Sequence, residues 1–219
     1  MELSISAARA AKNYREAGGM VEEEEEVLKI EDFRGVMDAA VDEVIDELEQ
    51  ELGLPYKLAP FQRIALNIVG QGRSVVLVSE CGSGKMDVAL KGALLMRKVQ
   101  REERGVTIVV QPLTALMNEK MNNNITQVAV LSQAQELTCM EEDEGGDKAV
   151  LSCTMGDLLL GKFPVLIGHP ESFNTALGLS ILSALQKASM LLFLVVDEFH
   201  QGGEGHWSTF RPVSGEFVI

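Results

Sequence analysis

The sequence predicts an α/β fold, in which a parallel β-sheet carries helices on both faces. Strand-like segments such as 74–78 (SVVLV) and 106–110 (VTIVV) are apolar along their whole length. Helical segments separate these strands along the chain, and strands that are apolar on both faces need cover on both sides. A glycine-containing loop follows one strand and two acids follow another, which is typical of functional loops at the strand ends.

The individual elements follow from hydrophobic periodicity and from turn residues. Helical spacing of apolar residues predicts helices at 60–69, 85–99, 113–123 and 172–187. Short apolar runs between them predict strands at 74–78, 106–110, 127–131, 164–168 and 190–196. The charged, glycine-containing stretch at 141–147 (EEDEGGD) predicts a polar loop.

Residues 1–52 are predicted to form an acidic N-terminal extension, partly disordered and partly helical, ahead of a lobe at 53–219. The extension holds 16 acids and 5 bases, with five consecutive glutamates at 22–26, and such runs are usually solvated. Gly53 suits a helix C-terminus. Helical spacing before it relates five apolar residues, which are Val36, Ala40, Val44, Ile45 and Leu48. We expect an amphipathic helix that docks on the lobe or on a protein partner.

Composition excludes several classes of protein. The net charge is −14, but 17 of the 33 acids and 14 of the 19 bases lie beyond residue 52, so that part of the chain is nearly neutral. A nucleic-acid site there is therefore not excluded, although it must be a local basic patch. The longest apolar run, 190–196, falls short of the roughly 20 residues that span a bilayer, and no secretory signal is visible. Three scattered cysteines, Cys81, Cys139 and Cys153, favour reduced thiols inside a cell over a disulfide framework or a zinc site.

A phosphate-binding loop is indicated where a strand, a glycine-containing loop and a helix follow one another at 75–95. Gly82 and Gly84 permit a tight backbone whose N–H groups, with the helix N-terminus, bind phosphate. Lys85 can reach the β- and γ-phosphates. Ser79 stands where the general pattern has its first glycine. A plain glycine turn is the weaker alternative.

Met86 is the more serious departure from this pattern. The position after the lysine is normally serine or threonine, because its hydroxyl coordinates Mg²⁺. A soft thioether does not replace that hydroxyl on a hard cation. We therefore expect nucleotide binding to be partly retained and Mg²⁺-dependent turnover to be impaired.

Two acids and a histidine follow the last predicted strand. In folds with a phosphate loop, an acid at the tip of a neighbouring parallel strand faces the same crevice. Asp197 is expected to hold Mg²⁺ and Glu198 to orient the water that attacks the γ-phosphate, with His200 sensing that phosphate. We expect Lys85 and Asp197 to share one magnesium-bound triphosphate.

These motifs together resemble the first RecA-like lobe of superfamily 2 helicases, and most closely the RecQ family of DNA helicases, over about residues 54–212. SECGSGKM looks like motif I, and VVQPLTALMNEK looks like motif Ia. Gln62 stands where the family has the glutamine that reads adenine. His169 departs from the usual Thr-Pro-Glu segment, and VVDEFHQGGEGHWSTFRP looks like the DExH box with its aromatic-rich loop. The resemblance implies ATP and Mg²⁺ as cofactors, bound by Gln62 and the loop Glu80, Cys81, Gly82, Ser83, Gly84, Lys85 and Met86.

The aromatic-rich loop implies binding of single-stranded or duplex DNA. The family's loop reads Trp-Gly-His-x-Phe-Arg-Pro, whereas here the tryptophan follows the histidine. The bases of a single strand can bind by stacking on aromatic rings, helped by a guanidinium. Packing of the loop's aromatic residues onto the protein itself is an equal alternative. Thr114 and Asn118 could donate to DNA phosphates or serve as a helix cap and a surface residue. The candidate DNA-binding residues are Thr114, Asn118, His206, Trp207, Phe210 and Arg211.

The family's second lobe, which supplies an arginine finger worth roughly 10³–10⁵ in rate, has no counterpart before Ile219. We expect a lobe that is truncated at its C-terminal end and has little activity alone. The resemblance to the family also implies an intracellular location, with the nucleus as the candidate compartment. The alternative function is a non-catalytic module that binds nucleotide or nucleic acid, with the acidic helix as a docking element. An unrelated phosphate-loop kinase fits poorly, because the match of Gln62, the Pro112 segment and the DExH box to helicase motifs would then be a coincidence.

Overall fold

The computed structural model describes residues 2–4, 27–28, 37–53, 57–78, 82–111, 125–142 and 148–197. They fall into two compact units that divide between Val88 and Ala89. The predicted helix at 113–123 and most of the predicted loop at 141–147 lie outside the described residues. No described helix has both the length and the hydropathy needed to cross a bilayer.

The described residues of the first unit form two helices, α1 (Ala39–Leu52) and α2 (Pro60–Gly70), and three short strands. The strands are β1 (Glu2–Ser4), β2 (Val27–Leu28) and β3 (Val76–Val78). They form a sheet in the order β2-β1-β3, and both pairs are antiparallel. The helix α3 (Lys85–Gln100) begins in this unit and continues in the second.

Helix α1 lies within the predicted acidic extension. Asp38 caps its N-terminus, because Oδ1 accepts from the N–H groups of Ala40 and Val41 at 2.8 and 3.2 Å. Gly53 ends it in the left-handed conformation, with φ 55°, and its N–H donates to the Glu49 carbonyl. The predicted apolar face was partly wrong: Ala40 is exposed, and the buried side chains are Val41, Ile45 and Leu48.

Helix α1 docks on α2 through polar contacts that hydrophobic periodicity does not reveal. The Arg63 guanidinium of α2 contacts three carboxylates of α1, with Nε 2.8 Å from Asp42 and Nη1 2.7 Å from Asp46 and 3.4 Å from Glu49. The fully buried Asn67 donates to the Asp38 carbonyl at 2.9 Å and accepts from the Asp38 N–H at 2.8 Å. The acidic face of the helix is therefore used, at least in part, within the chain.

The second unit is built on a six-stranded mixed sheet in the order β7-β6-β5-β8-β4-β9. The strands are β4 (Val106–Val110), β5 (Val128–Leu131), β6 (Leu137–Glu142), β7 (Lys148–Ser152), β8 (Val165–Gly168) and β9 (Leu191–Val196). The pairs β5–β8, β8–β4 and β4–β9 are parallel, as predicted. The other helices in the described residues of this unit are α4 (Met155–Leu159), α5 (Pro170–Phe173) and α6 (Ala176–Lys187).

Both faces of the central strands are buried, as the continuous apolar runs predict. On one face Val106, Ile108 and Val110 join a core with residues of α4 and α6, including Leu158, Ile181 and Leu185. The alternate residues Thr107, Val109, Val165 and Ile167 on the opposite face are equally inaccessible. A β-bulge interrupts β9, because Val106 pairs with Leu191 whereas Ile108 pairs with Leu194.

The antiparallel hairpin β6–β7 was not predicted and extends the sheet at one end. All five residues of β7 are exposed, so no alternation of apolar and polar residues marks this strand. The short helix α4 was also not predicted. The predicted helix at 172–187 begins two residues earlier and is split into α5 and α6, because Thr175 caps a new N-terminus by accepting from the Gly178 N–H.

Arg97 connects α3 to two loops of the second unit. Its Nε donates to the Gly105 carbonyl at 2.7 Å and its Nη2 donates to the Gly161 carbonyl at 3.0 Å. Neither glycine leaves room for a side chain, since a Cβ at Gly105 would meet Leu192 and one at Gly161 would lie 2.6 Å from the Arg104 Cα. Burial lowers the pKa of Arg97, and the charges of Glu102 and Glu103 oppose that shift.

We expect the substitution Arg97→Met to lower the free energy of unfolding by about 1.5–3 kcal/mol, the range for hydrogen bonds that involve a charged group. Urea denaturation of the two proteins measures the difference. Arg104→Met is the matched control, because the exposed Arg104 lies 3.7 Å from Glu102 and makes a weak surface pair. A loss for Arg97→Met no larger than for Arg104→Met would contradict the structural role of Arg97.

Candidate functional site

The loop that precedes α3 has the backbone of a phosphate-binding turn in its described part. Gly82 and Gly84 have φ values of 79° and 88°, which side-chain-bearing residues rarely adopt. Lys85 is the first residue of α3, so the unpaired N–H groups of the first helical turn follow the loop directly. This arrangement suits an anion at the start of the helix.

Gln62 links this loop to the start of α2. Its Oε1 accepts from the Ala59 N–H at 2.9 Å, and its Nε2 donates to the Gly84 carbonyl at 3.0 Å. The side chain is only 5 % exposed. The Gly84 carbonyl also accepts from the Asp87 N–H at 3.1 Å. The glutamine that the sequence assigns to adenine is therefore hydrogen-bonded to the loop that the sequence assigns to phosphate.

Met86 lies in the first turn of α3, and its side chain is 9 % exposed. Lys85 beside it is half-buried. A buried thioether is a packing group, so the residues present fit the phosphates of a nucleotide but not hydroxyl coordination of a magnesium ion. Within the described ranges, no cluster of three histidine, cysteine or acidic side chains is arranged to hold a metal ion.

The second unit brings three polar residues together at the carboxyl edge of its parallel strands. Gln111 follows β4, His169 follows β8 and Asp197 follows β9. The Gln111 N–H donates to the Gly168 carbonyl at 2.9 Å, and the Asp197 N–H donates to the Val110 carbonyl at 3.0 Å. The register Val110–Gly168 and Val110–Val196 thus places Gln111 beside both His169 and Asp197.

Gln111 and Thr107 are buried polar side chains of β4 and its end that lack hydrogen-bond partners within the described part of the chain. Gln111 is 1 % exposed, and neither its Nε2 nor its Oε1 has a hydrogen-bond partner. The Thr107 hydroxyl, 0 % exposed, likewise has none. Sequence analysis assigned neither residue a role. The available signal was a polar residue between an apolar strand and Pro112.

His169 lies in a buried polar position at the strand end. It is 8 % exposed and stands immediately before α5, where Pro170 is the first helical residue. Burial lowers the pKa of His169, and the Glu171 carboxylate, 3.8 Å from Nδ1, partly opposes the shift.

Several predicted site residues lie outside the described residues, and their roles stay predictions. They are Glu80, Cys81, Thr114, Asn118, Glu198, His200, His206, Trp207, Phe210 and Arg211. Lys85 belongs to the first unit and Asp197 to the second. That they share one magnesium-bound triphosphate therefore also stays a prediction.

We expect Gly84→Ala to destabilise the protein more than Gly82→Ala. Both pay the penalty of a side chain at positive φ, about 1–2 kcal/mol. A Cβ at Gly84 would also lie 2.5 Å from the Gln62 Nε2, whereas one at Gly82 meets nothing within 4 Å. Displacing that amide adds about 1 kcal/mol. Urea denaturation in the wild-type and Gln62→Leu backgrounds tests this, because the extra loss should vanish without the glutamine. Equal losses for the two glycine variants would contradict it.

We expect His169 to reduce stability as the pH falls below its ordinary pKa of 6.5. The folded protein holds the pKa of His169 below that of the unfolded chain, so the unfolded chain binds a proton first and gains free energy. Between pH 7.5 and 5.5, His169→Asn should lose less stability than wild type. Glu171→Gln should lose more, because Glu171 is the group that raises the pKa of His169. Identical pH profiles for all three proteins would refute this assignment.

Comparison with known proteins supports the resemblance to a helicase RecA-like lobe. The model of the DEAD/DEAH box helicase family matches residues 59–214, which include Gln62, the loop at 82–84 and Asp197. Among curated proteins, none matches the chain. The mostly parallel sheet with its helices agrees with the RecA-like lobe of such helicases, which bind ATP and nucleic acid. Because the match spans well over half of the 219 residues, the chain belongs to the DEAD/DEAH box helicase family.

Proposed function

We propose that this chain is the ATP-binding lobe of a RecQ-like DNA helicase, which binds ATP and single-stranded DNA and has little hydrolytic activity by itself. The observation that carries the nucleotide part is the hydrogen bond from Gln62 Nε2 to the Gly84 carbonyl. This hydrogen bond connects the residue suited to binding adenine with the loop suited to binding phosphate.

The roles of the residues follow from their chemistry. Gln62 retains a second N–H and a second lone pair on its carboxamide, which match the acceptor and donor on the edge of adenine. The N–H groups of the loop and of the first turn of α3 bind phosphate oxygens, and Lys85 neutralises their charge. Bound ATP supplies the phosphoryl group that is transferred to water. Asp197 and Glu198 are assigned to metal binding and to orienting that water.

The DNA preference rests on the resemblance of 192–212 to the RecQ loop, since DEAD/DEAH box helicases act on nucleic acid in general. Trp207, Phe210 and Arg211 are the residues we assign to stacking on unpaired bases. Binding of labelled DNA and RNA oligonucleotides of the same sequence distinguishes these substrates.

A second candidate function is a non-catalytic nucleotide-binding module, and the burial of Met86 favours it. In the family pattern a hydroxyl at this position coordinates Mg²⁺, whereas here a packed thioether takes its place. The sequence alone would leave the acidic helix α1 free to dock on a protein partner. In the structure, however, Asp42, Asp46 and Glu49 of this helix contact Arg63 of α2.

One experiment separates these functions. We expect the wild-type chain to bind a fluorescent ATP analogue with little dependence on Mg²⁺, and to show little ATPase activity with single-stranded DNA. Met86→Ser should gain at least a fivefold Mg²⁺-dependent increase in affinity, because a hydroxyl replaces the thioether.

Met86→Ala is the matched control, because it removes the same buried side chain without adding a hydroxyl. The proposal requires that only the serine variant responds to Mg²⁺. If the wild-type chain binds no nucleotide, both candidate functions are wrong. If wild type hydrolyses ATP readily when DNA is added, the non-catalytic alternative is wrong and Met86 does not impair turnover.

A further inference from the structure

We propose that the outer edge of β7 is a dimerisation surface, on which β7 of a second copy of this chain pairs in antiparallel orientation. β7 (Lys148–Ser152) is the end strand of the six-stranded sheet, and no other described strand pairs with its outer side. All five of its residues are exposed. Val150 at its centre is 60 % exposed and Leu151 is 44 % exposed, so apolar side chains face solvent at this edge.

β7 lacks the features that usually protect a sheet edge from association. Protected edges are commonly very short, or carry a proline, a bulge or inward-pointing charges. β7 instead keeps an unbroken register with β6 over its five residues. Its sequence contains no proline, and its one charged residue, Lys148, stands at the first position. The edge is therefore suited to accept another strand.

The alternation of hydrogen bonds between β6 and β7 identifies the backbone groups that face outward. The Cys153 N–H donates to the Leu137 carbonyl at 3.0 Å, and these two residues continue the register of the strand pair. In an antiparallel pair, such hydrogen-bonded residues alternate with residues whose N–H and C=O groups point away from the partner strand. Ala149 and Leu151 therefore bond to β6, whereas Val150 directs its N–H and C=O groups to the outer edge. The same alternation turns the backbone of the first and last residues of β7 outward.

A two-fold axis through Val150 matches this pattern. In such a dimer, Val150 of each copy exchanges two hydrogen bonds with its counterpart. Lys148 lies opposite Ser152 of the second copy, so residues that face outward pair with residues that face outward. An axis through Ala149 or Leu151 would set one end of the strand against a residue outside β7. The register centred on Val150 is therefore the one in which the whole strand pairs.

The side chains of β7 are also self-complementary in this register. Val150 meets its counterpart on one face of the sheet, and Ala149 meets Leu151 of the second copy on the other, which are the apolar cross-strand pairs that stabilise antiparallel sheets. Leu151 is aligned with Cys139, a buried member of the core formed with α4 and α6, so this face continues the core across the axis. The two Lys148 residues lie at opposite ends of the pair, roughly 14 Å apart. Parallel pairing would place them side by side.

The symmetry of the contact favours a second copy over an unrelated strand. Both copies use the same edge, and pairing covers it, so the dimer is closed and does not grow into a fibre from this edge. One pair of five-residue strands buries less area than the roughly 1,200 Å² at which stable interfaces begin. We therefore expect a reversible dimer with a dissociation constant of roughly 10–100 µM.

The test is sedimentation velocity of the full chain at concentrations below and above this range, for wild type and three variants at Val150. Val150→Lys places two ammonium groups opposite each other at the axis. Val150→Pro removes the N–H that bonds the second copy and spares the bonds to β6, as proline on an edge strand can. Val150→Thr is the matched control, because it keeps the N–H group and the branched Cβ. Urea midpoints check that each variant folds.

We expect the sedimentation coefficient of wild type to rise with concentration to that of a dimer. The dissociation constant should increase at least about tenfold in Val150→Lys and Val150→Pro, the effect of losing about 1.4 kcal/mol, and should change less than about threefold in Val150→Thr. Amide hydrogen exchange gives a local measurement. Exchange of the Val150 N–H should slow as dimer forms, whereas exchange of the Leu151 N–H, which is bonded to β6, should not change.

Three results would overturn the proposal. A wild-type chain that stays monomeric across this range removes the dimer, and an equal dissociation constant in wild type and Val150→Lys places the contact elsewhere. Exchange of the Val150 N–H that does not depend on protein concentration excludes the pairing of β7. If Val150→Pro lowers the urea midpoint, Val150→Lys decides alone, because lysine is well tolerated on exposed edge strands. Each of these results leaves the proposed nucleotide binding untouched.

Discussion

The parallel backbone ladder through β8, β4 and β9 is the constraint on which the second unit depends. It requires strands that are apolar on both faces, and it forces their carboxyl ends to one edge of the sheet. Polar residues that follow these strands are then neighbours in space although more than eighty residues separate Gln111 from Asp197 along the chain. The ladder thus explains both the continuous apolar runs and the abrupt change to polar residues after them.

The first unit depends on a different kind of interaction, in which single polar side chains connect separate elements. Gln62 connects the start of α2 to the loop before α3, and Arg63, the next residue, connects α2 to three acids of α1. Consecutive residues thus connect two different faces of one helix to other elements. Because Arg63 and its partners are partly exposed, solvent weakens these ion pairs, and the buried Asn67 pair to Asp38 fixes the helices more specifically.

Most of the fold could be predicted from the sequence because long apolar runs and periodic helices carry strong local signals. β4, β8 and α2 were placed within one residue of their observed bounds. The hairpin β6–β7 was missed because the side chains of β7 are exposed and show no alternation. Part of the site, Gln62 and the loop glycines, was predicted from motifs. Gln111 was not, because its importance depends on the neighbours that strand register gives it.

The bulge in β9 determines which side of the sheet the DExH aspartate occupies. Strand β9 advances three residues, from Leu191 to Leu194, while β4 advances two. If the same residues paired with β4 without the bulge, Val196 would stand opposite Gln111, and Asp197 would follow one residue later on the reverse surface. Loss of a single residue from 192–193 would remove the bulge and leave Leu194 opposite Ile108, so the acid would stay beside the glutamine. The spacing from Leu194 to Asp197, after the bulge, is consequently as much a part of the acidic motif as the acids themselves.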